Sequence, residues 1–197
     1  MDPEIKRIKQ EYSKWDNSEF YKSNKQPTGI SGYYFSALLR ELFFLLNKCR
    51  IFNFENKKIF EVGCGEGGNL PLFLKYGIFE KDYYGADVID YRLKIIKKKY
   101  QSSNIFSCDG RTLSLKDKKF DIVTQFFVFS SILEDDFCRR IACEMLRVLK
   151  DDGIIIWFDS YGKNNKTGIT RQFDKNCIKN FFPDCSYEFR KIIPHSQ

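Results

Sequence analysis

The 197-residue sequence predicts an α/β fold: a doubly wound, mostly parallel sheet fronted by an N-terminal helical cap. Three observations predict it. From residue 58 onward, short apolar runs alternate with amphipathic stretches, the pattern of strands joined by crossover helices. A glycine cluster over 63–68 sits where the first run gives way to a helix, and open parallel sheets hold ligands at that kind of junction. No internal repeat or long linker divides the chain, and its length suits one domain. The expected division is a helical cap over 1–54 and a ligand-binding domain over 55–197.

Each element has its own justification. Residues 1–28 are polar and charged, with Tyr12, Trp15, Phe20 and Tyr21 spaced through them. They read as a short helix and a loop around Pro27-Thr28-Gly29. Leu38, Leu39, Leu42, Leu45 and Leu46 recur at helical spacing and predict an amphipathic helix ending near Lys48. Lys58 to Val62 is the first strand. Leu70 to Tyr76 is a helix with Pro71 in its first turn, where proline is tolerated, and Gly77 at its end. Tyr83 to Val88 is a strand, Tyr91 to Tyr100 a helix, and Asn104 to Cys108 and Phe120 to Gln125 are strands. Glu134 to Lys150 is the clearest helix. Its acids lie at the N-terminal end and Arg147 and Lys150 at the other, which suits the helix dipole. Its apolar stripe is Phe137, Ile141, Met145, Val148 and Leu149. Ile154 to Phe158 is a strand opened by Gly153, Asp174 to Phe181 a helix, and Tyr187 to Ile193 a last strand.

Composition excludes several classes. Hydrophobic residues are 43% and aromatics 17%, too many for a disordered chain. No apolar run reaches the roughly 18 residues of a membrane span, and Met1-Asp2-Pro3-Glu4 is not a signal peptide. The net charge of +7 comes mostly from scattered Lys, 23 of the 33 basic residues, which argues against a nucleic-acid partner. Seven Cys without a C-x-x-C pair, and the lone His195 near the end, argue against a disulfide framework and a metal site. Free thiols suit a reducing cytoplasm.

The segment Glu61-Val62-Gly63-Cys64-Gly65-Glu66-Gly67-Gly68-Asn69 carries the chemistry. Its spacing is ambiguous. Gly63, Gly65 and Gly68 satisfy the dinucleotide pattern G-x-G-x-x-G, while Gly63, Gly65 and Gly67 satisfy G-x-G-x-G. Glu61 breaks the tie, because a carboxylate aimed at the ligand repels a pyrophosphate and attracts an amino group or a sulfonium.

The segment resembles motif I of the class I S-adenosylmethionine-dependent methyltransferases, E/D-x-G-x-G-x-G, whose fold is Rossmann-like. Asp87 closing YYGADV, Cys108-Asp109-Gly110, Phe120-Asp121-Ile122-Val123 and the run Met145 to Gly153 match later motifs in order over about residues 55 to 160. Asp151-Asp152-Gly153 departs mildly from the usual L-x-P-G-G. The resemblance implies S-adenosylmethionine as cofactor. It would be held by Glu61, Gly63, Cys64, Gly65 and Gly67, by Asp87 and Val88 at the ribose, by Asp109 and Gly110 at the adenine, and by Gln125 and Phe126. A carboxylate at Asp87 accepts two ribose O–H bonds by chemistry alone, but NAD enzymes use the same device.

Gln125 to Ile132 and Trp157 to Asn165 are similar to a bacterial subgroup often placed among surface-polysaccharide genes. The end of the fourth strand, Thr124-Gln125-Phe126-Phe127, lacks the [DN]-P-P-[YF] of enzymes that methylate base amino groups. An oxygen acceptor on a small molecule or saccharide leads. Asp159 and Tyr161 follow the fifth strand on the acceptor side, and Asp159 reads equally well as a loop-capping acid. His195 reads as a tail residue rather than a base. The alternatives are an inactive methyltransferase-like binding module and an NAD(P)-binding oxidoreductase, although no Tyr-x-x-x-Lys is present. The class's seventh, antiparallel strand has no counterpart after Ile193, so an exposed sheet edge and self-association are expected.

Overall fold

A computed structural model describes residues 2–18, 29–163 and 167–192. The expected loop at Pro27-Thr28, Phe20, Tyr21, Asn164, Asn165, Ile193 and His195 lie outside these.

The chain divides into two compact units. One is Met1–Lys9 with Phe54–Cys185, and the other is Gln10–Asn53 with Ser186–Gln197. The expected boundary near residue 54 is therefore one of three. The first nine residues go with the sheet, and the tail goes with the helices.

The sheet unit holds β1 (Ile59–Val62), α3 (Leu70–Lys75), β2 (Tyr83–Asp87), α4 (Asp90–Lys99), β3 (Asn104–Ser107), β4 (Phe120–Phe126), α5 (Asp135–Val148), β5 (Leu149–Phe158) and α6 (Lys175–Phe181). The strand order is β3-β2-β1-β4-β5, every pair parallel. The order reverses between β1 and β4, and the crevice at their carboxyl ends is where such sheets bind ligands. β1 is buried along its whole length, as a central parallel strand is. Phe60 packs between Phe106 and Phe120, with ring centroids 6.1 and 5.3 Å away. Four of the five predicted stripe residues, Phe137, Ile141, Met145 and Val148, lie on the buried face of α5 with Cys138 and Ala142, whereas Leu149 is half-buried and opens β5. Asp174 caps α6 by accepting the Cys177 N–H at 2.9 Å.

Two strand expectations change. β5 begins at Leu149 rather than Ile154. Phe120 pairs with Leu149 and Ile122 with Ile154, so Lys150–Gly153 bulges out between them. Gly153 allows this, since a Cβ there would lie 3.0 Å from the Asp121 carbonyl oxygen. The expected last strand does not form over 187–192, and β5 is the sheet edge among the described residues.

In the helical unit, the larger part of α1 (Pro3–Asn17) accompanies α2 (Gly29–Lys48), where Ala37, Leu42 and Leu46 are buried. This unit shows why the last strand is absent. The alternation Tyr187-Glu188-Phe189-Arg190 looks like a strand, but side chains hold it. Glu188 pairs with Lys48 at 2.5 Å, and the Arg190 guanidinium lies 3.9 Å from the centre of the Phe44 ring. Tyr187 and Phe189 stack on each other. These contacts seat the segment by its side chains.

Candidate functional site

The glycine loop leaves the carboxyl end of β1, and its backbone settles the spacing. Gly63, Gly65 and Gly67 have positive φ of 70°, 52° and 80°, whereas Gly68 is not among the positive-φ glycines. The G-x-G-x-G reading is the one the backbone uses. The close approach is equally selective. A Cβ on Gly63 would lie 2.2 Å from Val128 Cγ2, and one on Gly67 would lie 2.7 Å from Ile96 Cδ1. Around Gly65 there is space, with only the Arg92 guanidinium, at 3.8 Å, within 4 Å of a Cβ. That opening is a cradle of bare backbone that a ligand could approach closely.

Asp87, at the end of β2, anchors this cradle. Its two oxygens accept the N–H groups of Gly65 and Ile89, both at 2.9 Å. A carboxylate has about four acceptor positions, and with the Val88 N–H also favouring its charge, acceptor capacity remains for a further donor. Burial raises its pKa, against the backbone donors and Arg92, which favour the charge. Val88 follows, half-buried.

Glu61 corrects the sequence reading. It is fully buried, and its oxygens face protein: one accepts the Tyr83 hydroxyl and the other the Asn69 amide at 2.6 Å. Asn69 closes the glycine loop, so Glu61 fastens the loop's far end to β2 rather than presenting itself to the ligand. Cys64 is buried too, its sulfur 2.8 Å from where a Cβ on Gly85 would stand.

Asp109 lies past the end of β3 and is engaged by Arg111, whose guanidinium reaches Asp109 Oδ2 at 2.7 and 3.2 Å. Burial pushes its carboxyl up, but Arg111 outweighs this and holds it below the usual range. Arg111 also lies 4.1 Å from the centre of the Phe137 ring. Gly110 turns the chain with φ 81°. Sequence reasoning missed Arg111, Tyr83 and Asn69, and only the adjacency of Asp109 and Arg111 could have signalled any of them.

At the β4 end, Gln125 is fully buried. It donates to the Phe158 carbonyl at 3.3 Å and accepts the Val128 N–H at 2.9 Å. It therefore shapes the turn that meets Gly63 rather than opening to a ligand. Phe126 is half-buried against Phe158. Phe127 carries φ 57°, a conformation a bulky residue adopts only when its surroundings impose it. Its N–H donates to the Phe158 carbonyl at 2.9 Å, and its ring, half-exposed, lies across Phe158. Asp159 is the capping acid of the two sequence alternatives: it accepts the N–H groups of Ser130 at 3.0 Å and Ser160 at 2.8 Å. Burial pushes its pKa up to about 6. Tyr161 is half-exposed and forms a parallel bridge with Phe173 beyond the end of β5.

Burial also lifts Glu61, to about 7, although Tyr83 and Asn69 favour its charge. Glu61, Asp159 and Asp87 thus bind protons more firmly folded than unfolded. Stability from them is present at acid pH and is lost as pH rises through the raised values. Thermal unfolding is expected at a lower midpoint at about pH 8 than at about pH 5, with Glu61→Gln flattening the difference. A calorimetric pH series checks this, and a midpoint that rises over that interval overturns it.

A sheet of this order with a positive-φ glycine loop and an acid after β2 is the architecture of a class I S-adenosylmethionine-dependent methyltransferase domain. Residues 60–157 match the family model described as "Methyltransferase domain", and by that match the chain belongs to the family. Among curated proteins, the chain is similar to phthiotriol/phenolphthiotriol dimycocerosates methyltransferase of Mycobacterium leprae, 29% identical over 118 residues. That match covers 59% of this chain and 42% of the relative, so the chain spans about two-fifths of the relative's length. Among solved structures, a Pyrococcus horikoshii protein superposes with TM-score 0.60 at 20% identity, covering 83% of this chain and 87% of that one. A S-adenosylmethionine-dependent methyltransferase from Methanosarcina mazei gives 0.56 at 17%, covering 68% and 81%. These likenesses show the fold. The cofactor of the family is S-adenosylmethionine, and the open cradle at Gly65 and the spare acceptors of Asp87 fit it.

Proposed function

We propose that the chain transfers a methyl group from S-adenosylmethionine to an oxygen of a small-molecule or saccharide acceptor. The observation that carries this reading is the cradle at the β1–β4 switch point, where Asp87 fixes the bare backbone of Gly65. The cofactor supplies a methyl group on a sulfonium, an already activated carbon. The chain's own residues then have to hold the reactants in line and keep water out. The glycine loop and Asp87 would hold the sugar and the amino-acid portion, and Asp109 the base. Gln125 and Asp159 act behind the surface: they fix the turn after β4, which closes on Gly63. Oxygen is favoured because Thr124-Gln125-Phe126-Phe127 has no [DN]-P-P-[YF].

One observation favours a second acceptor class, a hydroxyl on an apolar chain. Phe127, Tyr161 and Ile169 are exposed on the loops that leave β4 and β5. The curated relative is by its name a methyltransferase of phthiotriol dimycocerosates.

Titration calorimetry with S-adenosylhomocysteine and with NADH tests the cofactor. Binding of the first alone is expected, and binding of NADH alone overturns the reading in favour of an oxidoreductase. Product formation from S-adenosylmethionine over paired saccharide and long-chain alcohol acceptors then separates the two acceptor classes. Cofactor binding with no turnover on any acceptor favours an inactive binding module.

A further inference from the structure

Asp2 and the first two turns of α1 lie outside the matched methyltransferase segment, yet they touch the chain just beyond the carboxyl ends of β2, β3, β4 and β5. Beside β3, Asp2 pairs with Arg111 at 2.7 Å, and the same guanidinium holds Asp109. Beside β4, buried Glu4 accepts the Leu133 N–H at 2.6 Å. Arg7 grips Glu4 through two nitrogens, at 2.7 and 2.8 Å, and donates to the Ser131 carbonyl at 2.5 Å. Beyond β5, Arg7 also donates to the Ile169 carbonyl at 3.1 Å. Beside β2, Lys9 reaches Asp90 at 3.4 Å. Asp2 and the first two turns of α1 thus bridge the ligand-binding edge of the sheet.

The contacts differ in strength. The Glu4–Arg7 pair is largely enclosed, and each member also meets backbone, so it forms a firm hinge on the β4–β5 side. The Asp2–Arg111 pair is about one-quarter exposed on each side chain, and water and salt compete for it. The β3 side is therefore the one that can let go. It is also the side where Asp109 stands.

We propose that Asp2–Lys9 is a strap across the cofactor crevice, hinged at Glu4–Arg7 and latched by Asp2 on Arg111, which positions Asp109 and sets how fast the cofactor leaves. The proposal rests on the S-adenosylmethionine reading. With the latch closed, Arg111 is fixed from both sides and holds Asp109 in place. With it open, Arg111 keeps Asp109 and the Phe137 ring but loses its tie to α1, and the β3 loop is freer to release a bound base.

The test uses the full chain and S-adenosylhomocysteine as probe, with dissociation followed by stopped-flow fluorescence. Asp2→Ala is expected to speed dissociation about fivefold, the scale of a partly exposed ion pair, and to lower the thermal midpoint by a few degrees, because Asp2 Oδ1 also caps α1 by accepting the Glu4 N–H at 2.9 Å. Asp2→Glu, which keeps the charge, is expected to restore the slow rate. An unchanged rate in Asp2→Ala, or a glutamate variant as fast as the alanine one, overturns the strap. Salt gives a check that needs no variant: raising it from about 0.05 to about 0.5 M should speed release from the wild type by a similar factor. A salt-independent rate counts against the latch. No binding of the probe to the wild type overturns the cofactor reading itself, and the strap with it.

Discussion

Asp87→Ala is expected to lower affinity for S-adenosylhomocysteine by about a hundredfold, the scale of losing two hydrogen bonds to a charged group. The carboxylate has two duties. It accepts the Gly65 and Ile89 N–H groups, holding the loop in its left-handed path, and in the proposed reading its remaining acceptor capacity takes ribose hydroxyls. A simple loss of affinity does not separate these duties. A cofactor lacking one ribose hydroxyl does. The wild type is expected to bind the 2′-deoxy or 3′-deoxy analogue of S-adenosylhomocysteine markedly less well, while Asp87→Ala treats analogue and parent alike. If the wild type does not discriminate against either analogue, Asp87 serves only the loop and the ribose assignment falls. Asp87→Asn keeps one acceptor oxygen and should land between wild type and alanine.

Most of the sheet was legible because each strand is a local apolar run and each crossover helix has its own stripe. Periodicity inside about ten residues reports both. The glycine loop was legible in type but not in spacing. Whether Gly67 or Gly68 is the third glycine depends on which one must take positive φ beside Ile96, and Ile96 lies 28 or more residues away in sequence. Glu61 was misjudged for a related reason. Its environment is set by Tyr83 across the β1–β2 pairing, so a residue that looks poised over a ligand turns inward. The segment Tyr187–Arg190 alternates like a strand, and only its ion pair and cation–π contact with α2 show that its pairing is by side chains. The contacts of Asp2, Glu4 and Arg7 span more than a hundred residues and leave no local trace.

The second large effect concerns Gly63, and it tests the coupling between the two halves of the site. Gly63→Ala is expected to destabilise the protein by about 2–4 kcal/mol, from a left-handed backbone that alanine resists and from overpacking. The overpacking is specific: the new methyl would stand 2.2 Å from Val128 Cγ2 and 3.5 Å from its Cβ. The Val128 backbone is held by its N–H donating to the Gln125 side chain and by Ser130 bonding Asp159, so relief falls to its χ1, which is stiff in a β-branched residue. The two costs separate in a double-mutant cycle. Val128→Ala removes the methyl in conflict, so Gly63→Ala in that background should cost only the backbone share, about 1–2 kcal/mol. Denaturant titrations of the four proteins give the coupling directly. Strict additivity would mean that the cofactor loop and the post-β4 turn do not touch in solution. A coupling of a kilocalorie or more means that the glycine loop, proposed to hold the cofactor, and the turn after β4, proposed to lie on the acceptor side, are packed as one surface. Displacing either should then disturb both ligands.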